Sequence, residues 1–319
     1  MTEAYLEFFS TALPLFTSYN LFLQRSDPLA YLVYPMTKDL IQKIAKRFLK
    51  LEVISDLTLE SLKDEDNYLP LSEVHIGLKC ITILADLREG RDGDHISQKT
   101  HDDFLKACRS FYKASLDYVM RKMDSNNEFW QHATWIDFFR RKDAQWSHVK
   151  YFVTKYEKIL NFTEIEFNLL YDEFCDYKSL FVEDINLEEA EIKRNDQGDG
   201  NERAQYRMDV IWHQLQELSS PAGDNLRFRL LFRVALLVLI TPHSNAGIER
   251  VYSLTNKNKP EGSDRNRMDI DGTLASIIGV KLARPESAES CCYKYEPSQK
   301  VLDAAKKATK NYNAEHCKK

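Results

Sequence analysis

The 319 residues carry 44 Lys and Arg against 49 Asp and Glu, a formal net charge of −5, with 43% hydrophobic and 29% charged residues. Such a chain buries a sizeable core and is neither disordered nor fibrous, and its charge gives no global attraction to nucleic acid. Ten glycines and nine prolines are few for this length and favour long helices over many short strands.

Residues 5–24 place Leu6, Phe9, Leu13, Phe16, Asn20 and Leu23 at helical spacing, and Pro14 among them predicts a kink or two helices. Asp27-Pro28 breaks the pattern. Residues 37–50 predict an amphipathic helix with Leu40, Ile41, Ile44, Ala45, Phe48 and Leu49 inward and lysines outward. Residues 73–88 repeat that pattern with Ile76, Cys80, Ile81, Leu84 and Leu87. A polar connector over 90–103 precedes the most continuous stripe, a helix over 104–123. It holds Phe104, Leu105, Cys108, Phe111, Tyr112, Leu116, Val119, Met120 and Met123. The aromatic run Phe129, Trp130, Trp135, Phe138, Phe139 and Trp146 reads as core, since basic residues do not interleave as in a single-strand groove.

Two further helical stretches fill 148–180. Residues 183–207 start acidic and continue Asn195-Asp196-Gln197-Gly198-Asp199-Gly200-Asn201, the composition of a linker. Helix resumes over 208–218 around Ile211, Trp212 and Leu215. After a turn near 219–223, residues 226–240 predict a helix buried nearly all round. Its eleven-residue apolar run, Leu230–Ile240, contains Arg233. A membrane span needs roughly 20 residues, so no membrane partner is expected. Alternation of period two never persists, so the fold class expected is mostly α. The expected division is a helical domain over 1–182, a linker over 183–207 and a carboxy-terminal module over 208–319.

The six cysteines show no CxxC pairing, and Met1-Thr2-Glu3-Ala4 lacks a basic leader, so reduced intracellular thiols are expected. Cys291-Cys292 would ligate a metal only with distant histidines. Asp92, Asp94, His95, His101, Asp102 and Asp103 match no strong metal pattern and read as a polar turn. Cys80 and Cys108 sit on apolar faces, which favours inert core thiols over nucleophiles paired with His75, His101 or His132. No metal or other cofactor is assigned.

The densest local pattern is Thr241-Pro242-His243-Ser244-Asn245-Ala246-Gly247-Ile248-Glu249-Arg250-Val251-Tyr252-Ser253, followed by Asn256-Lys257-Asn258-Lys259 and Arg265-Asn266-Arg267. From Thr241 onward 14 Lys and Arg stand against 10 Asp and Glu, while the remainder is acidic. Ser244 is placed to cap a helix in which Glu249 and Arg250 form an ordinary ion pair. Arg250, Lys257, Lys259, Arg265 and Arg267 would position phosphates, or else belong to a solvated loop. Ile270, Leu274, Ile277, Ile278 and Leu282 form an apolar stripe that packs within the chain, against a second copy, or both.

The same pattern resembles the closing segment of hAT-superfamily transposases, His-Ser-Asn-Ala-x-x-Glu-Arg-x-Phe/Tyr-Ser followed by Lys-Asn-Lys and an arginine-rich turn. Tyr5 through Phe16, Leu21 through Arg25, Phe48-Leu49-Lys50, Phe111-Tyr112-Lys113-Ala114, Trp135-Ile136-Asp137-Phe138 and Met208 through Trp212 resemble the helical insertion domain of that family. The resemblance implies a helical insertion bundle joined to the carboxy-terminal helical part of a ribonuclease-H-like core. It implies that Glu249 is the third acidic residue of a catalytic triad whose first two aspartates, like the BED zinc finger, have no counterpart here. A lone glutamate does not fix two metals, so a catalytically inactive, truncated or domesticated protein is expected. Val251, Tyr252, Leu254 and the stripe at 270–282 fall in the family's association segment. The partners implied are a second copy or a related hAT-derived protein, with DNA contact or a partner-completed divalent-metal site as alternatives. The location implied is nuclear.

Overall fold

The computed structural model describes residues 1–90, 95–123, 127–192, 206–220 and 226–249, with 253, 299, 300, 303, 306 and 307 as isolated positions. These residues are mostly α-helical, as expected. The β-pairing among them is confined to the isolated bridges Leu49–Tyr68, Glu191–Tyr206 and Ser219–Leu226. Two units are present, Met1–Gly247 and Ile248–Lys319. The following concerns the first.

Helix α1 (Thr2–Leu23) buries Ala4, Phe8, Ala12, Tyr19 and Phe22. Pro14 lies inside it and does not divide it. Both Pro14 and Ser10, whose carbonyl loses its helical donor, face the exposed side. Helix α2 (Ala30–Ala45) begins earlier than its periodicity predicts, directly after the Pro28 break, and buries Ala30, Tyr31 and Leu32 at its start. It lies at the centre, packing on α1, on α5 (Gln98–Lys122) and on α6 (Glu128–Ala133). Between α2 and α5 come the short α3 (Leu51–Ile54) and α4 (Leu78–Glu89).

Helix α4 starts later than expected because Gly77 turns the chain at φ +89°. A Cβ there would sit 2.2 Å from the Thr11 hydroxyl oxygen, so α1 and α4 approach each other only over glycine. Ile81, expected on the inner stripe, is exposed, whereas Cys80 and Leu84 are buried. Helix α5 reaches back into the expected polar connector. The Ser97 hydroxyl accepts the Thr100 N–H at 3.1 Å and so starts the helix there.

After α6 the chain runs through two 3-10 segments, Thr134–Ile136 and Phe138–Asp143, into α7 (Trp146–Lys155), α8 (Glu157–Leu160) and α9 (Glu164–Ser179). Thr163 and Glu166 form a reciprocal capping box at the start of α9. Then follow α10 (Leu187–Ala190), α11 (Met208–Glu217) and α12 (Arg229–Leu239). The aromatic run is core at Trp135 and Phe138, half-buried at Phe129, Trp130 and Trp146, and exposed at Phe139.

Trp212 of α11 is fully buried. Its indole N–H donates to the Ile136 carbonyl at 3.0 Å, and its ring centroid lies 5.2 Å from Trp135 and 5.0 Å from Tyr177. Helix α12 packs on α9, α11, α2 and α7. The unit boundary therefore falls after Gly247, beyond the 183–207 segment read as a linker. Residues 208–247 complete the core that the preceding helices begin. Within α12, Leu230, Leu231, Val234, Ala235 and Val238 are buried while Leu236 is exposed, so the helix is amphipathic and not buried all round. Arg233 turns outward from the apolar face, donates to the Leu160 carbonyl at 2.6 Å and lies 4.6 Å from the Phe162 ring.

Candidate functional site

The start of the 241–253 pattern is tied to the end of α1. The Thr241 hydroxyl donates to the Leu237 carbonyl at 2.7 Å, extending the end of α12 by one side-chain bond. The His243 ring packs on Phe22 at 5.7 Å. Burial pulls its basicity down, which keeps the imidazole neutral at neutral pH. The Ser244 hydroxyl donates to the Leu23 carbonyl at 2.5 Å, an acceptor freed at the end of α1, and accepts the Ala246 N–H at 3.3 Å. One hydroxyl thus serves both the α1 terminus and the first turn of a helix at 246–249.

Glu249 is helical and exposed. The other expected site residues, Arg250, Val251, Tyr252, Leu254, Lys257, Lys259, Arg265, Arg267, Ile270, Leu274, Ile277, Ile278 and Leu282, lie outside the described residues. So do Asp92 and Asp94. Among the described residues no group of three or more His, Cys, Asp or Glu side chains gathers into a metal-binding cluster. His101 instead approaches its neighbour Asp102 at 3.4 Å. No helix among the described residues is long and apolar enough to cross a membrane.

The thiols of Cys80 and Cys108 are buried, and burial pushes them up to about 11 and about 12. Cys80 donates to the Ala4 carbonyl at 3.3 Å, and His75 bonds to Arg47. These cysteines are core groups, as their apolar helix faces imply.

One feature escaped the sequence reading, and a second was legible there only in part. A groove of about 800 Å³ runs between α2 and the 134–148 segment, lined by Tyr31, Lys38, Trp135, Asp137, Arg140 and His148 among others. Three of these side chains hold a buried polar atom without a hydrogen-bond partner: the Tyr31 hydroxyl, the Trp135 indole nitrogen and His148 Nδ1. The second is an outward apolar face on α1. Leu6, Phe9 and Leu13 follow one another at spacings of three and four, and they are 65%, 37% and 48% exposed. The helical period did show this ridge, but only the packing shows that Leu6 and Leu13 stay exposed within the first unit while Phe9 leans on Phe111. The chain matches no known protein family, no curated protein and no solved structure.

Proposed function

We propose that this chain is a protein-association module descended from an hAT-superfamily transposase, and that it lacks strand-transfer activity of its own. The observation that carries the reading is the α1 ridge of Leu6, Phe9 and Leu13, in which Leu6 and Leu13 are exposed and Phe9 is partly covered by Phe111, while the opposite face of the same helix fills the core. Apolar area is worth roughly 25 cal/mol per Å² when removed from water, and contiguous exposed patches mark contact surfaces. The stripe Ile270, Leu274, Ile277, Ile278 and Leu282, with Val251, Tyr252 and Leu254, supplies a second apolar element of the same kind in the sequence. The partner is a second copy or a related chain. A ribonuclease-H-like origin for the carboxy-terminal part and a nuclear location stand with this descent.

Light scattering across a concentration series tests it, on the whole chain, on residues 1–247 and on a Leu6→Glu/Leu13→Glu variant. The reading expects a dimer that becomes monomeric in at least one of the two altered forms. A whole chain that stays monomeric at every concentration, and captures no related protein when the two are mixed, sinks it.

A further inference from the structure

His132 of α6 and His148 of α7 face each other across the contact between their helices, with ring centroids 5.1 Å apart. The Nδ1 atom of each is buried and has no hydrogen-bond partner. A buried ring nitrogen left unpaired costs about 1–3 kcal/mol, so two in contact call for a common explanation. We propose that this pair is a binding site for a divalent transition-metal ion, with His132 and His148 as its protein ligands.

The dimensions fit. With metal–nitrogen bonds of about 2.0–2.1 Å, each ring centre lies about 3.2 Å from the ion, and a tetrahedral angle then sets the two centres about 5 Å apart. Burial lowers the basicity of both imidazoles, and at His148 the neighbouring His132 adds to the effect. His132 is held in place by stacking on Tyr151 at 4.2 Å, whose hydroxyl accepts from Lys155 Nζ at 2.5 Å. No third His, Cys, Asp or Glu joins the pair among the described residues. The remaining coordination positions go to water or a small ligand, and His148 also lines the groove between α2 and the 134–148 segment. Imidazole donors select zinc, copper or nickel over magnesium or calcium.

The test is calorimetric titration of Zn²⁺ into the whole, untagged chain with Cys175, Cys291, Cys292 and Cys317 replaced by Ser, so that thiols do not compete. One equivalent is expected to bind, and His148→Gln is expected to weaken it at least tenfold. Imidazole ¹⁵N spectra give a readout that does not depend on a variant folding. Zn²⁺ should shift the Nδ1 signals of His132 and His148 together, and Mg²⁺ should shift neither. Absence of binding at millimolar Zn²⁺, equal affinity in His148→Gln, or zinc shifts confined to other histidines would overturn the site.

Discussion

Replacing Trp212 by Ala tests the claim that residues 208–247 complete the amino-terminal core. The indole is fully buried, meets Trp135 edge-to-face and Tyr177 at a tilt, and donates its N–H to the Ile136 carbonyl. Truncating a buried aromatic of this size costs about 3–5 kcal/mol through lost transfer energy and the cavity left behind. Trp212→Phe keeps most of the apolar volume but strands the Ile136 carbonyl, so it should cost about 1–3 kcal/mol. Domains of ordinary stability have roughly 5–15 kcal/mol to lose. The alanine variant should therefore sit near its unfolding midpoint in modest urea. The assay is urea unfolding of residues 1–247 followed by far-ultraviolet circular dichroism, with a 1–182 fragment in parallel. That fragment lacks the cover over Trp135 and Ile136 and should not unfold cooperatively. A loss below about 1 kcal/mol in Trp212→Ala, typical of an unremarkable surface position, would refute the reasoning. So would a 1–182 fragment that unfolds as sharply as the longer one.

Glu173 accepts the N–H groups of Leu230 and Leu231 at 2.9 and 2.7 Å, capping α12 from α9, so Glu173→Ala should destabilise by about 1–2 kcal/mol in the same urea assay. Burial pushes its carboxyl up to about 7 despite these donors. The folded state then binds the proton more tightly than the unfolded chain, and Glu173 makes stability fall as pH rises from the usual carboxylate range through 7. Glu173→Gln should flatten that part of the pH profile, and an unchanged profile would contradict the assignment. His243 has the opposite sign. Its lowered basicity gives stability that is present above the ordinary histidine range and lost on acidification, so its imidazole proton signals should titrate below about 6.5. With Cys291, Cys292 and Cys317 replaced by Ser, a thiol reagent should modify the exposed Cys175 at once, and Cys80 and Cys108 only on unfolding. Rapid labelling of three thiols in the folded chain would show the core to be open there.

Helical character was legible wherever one apolar face repeats over several turns. The inner positions of α5, from Phe104 to Val119, follow the periodicity residue by residue. Boundaries were less legible because they rest on local bonds. Ser97 starts α5 within an apparently polar connector, and Gly77 delays α4. Pro14 looked like a divider, yet an exposed carbonyl tolerates the missing donor and α1 continues. Of the candidate site, Ser244 was legible as a cap because hydroxyl residues before a helix have few other uses. Its bond to Leu23 was not, since nothing in the sequence relates residues so far apart.

The sequence by itself determined the fold class, the inert character of Cys80 and Cys108 and the shortfall of the 230–240 run as a membrane span. Each follows from periodicity, residue type or length, which are properties of neighbouring residues. Only the tertiary structure decided that α11 and α12 close the amino-terminal core, that Glu173 caps a helix 57 residues away, that His132 meets His148, and that Leu6 and Leu13 stay exposed among the described residues. These depend on which faces meet across long stretches of chain. An apolar stripe states that it must be buried or bound, but not against what.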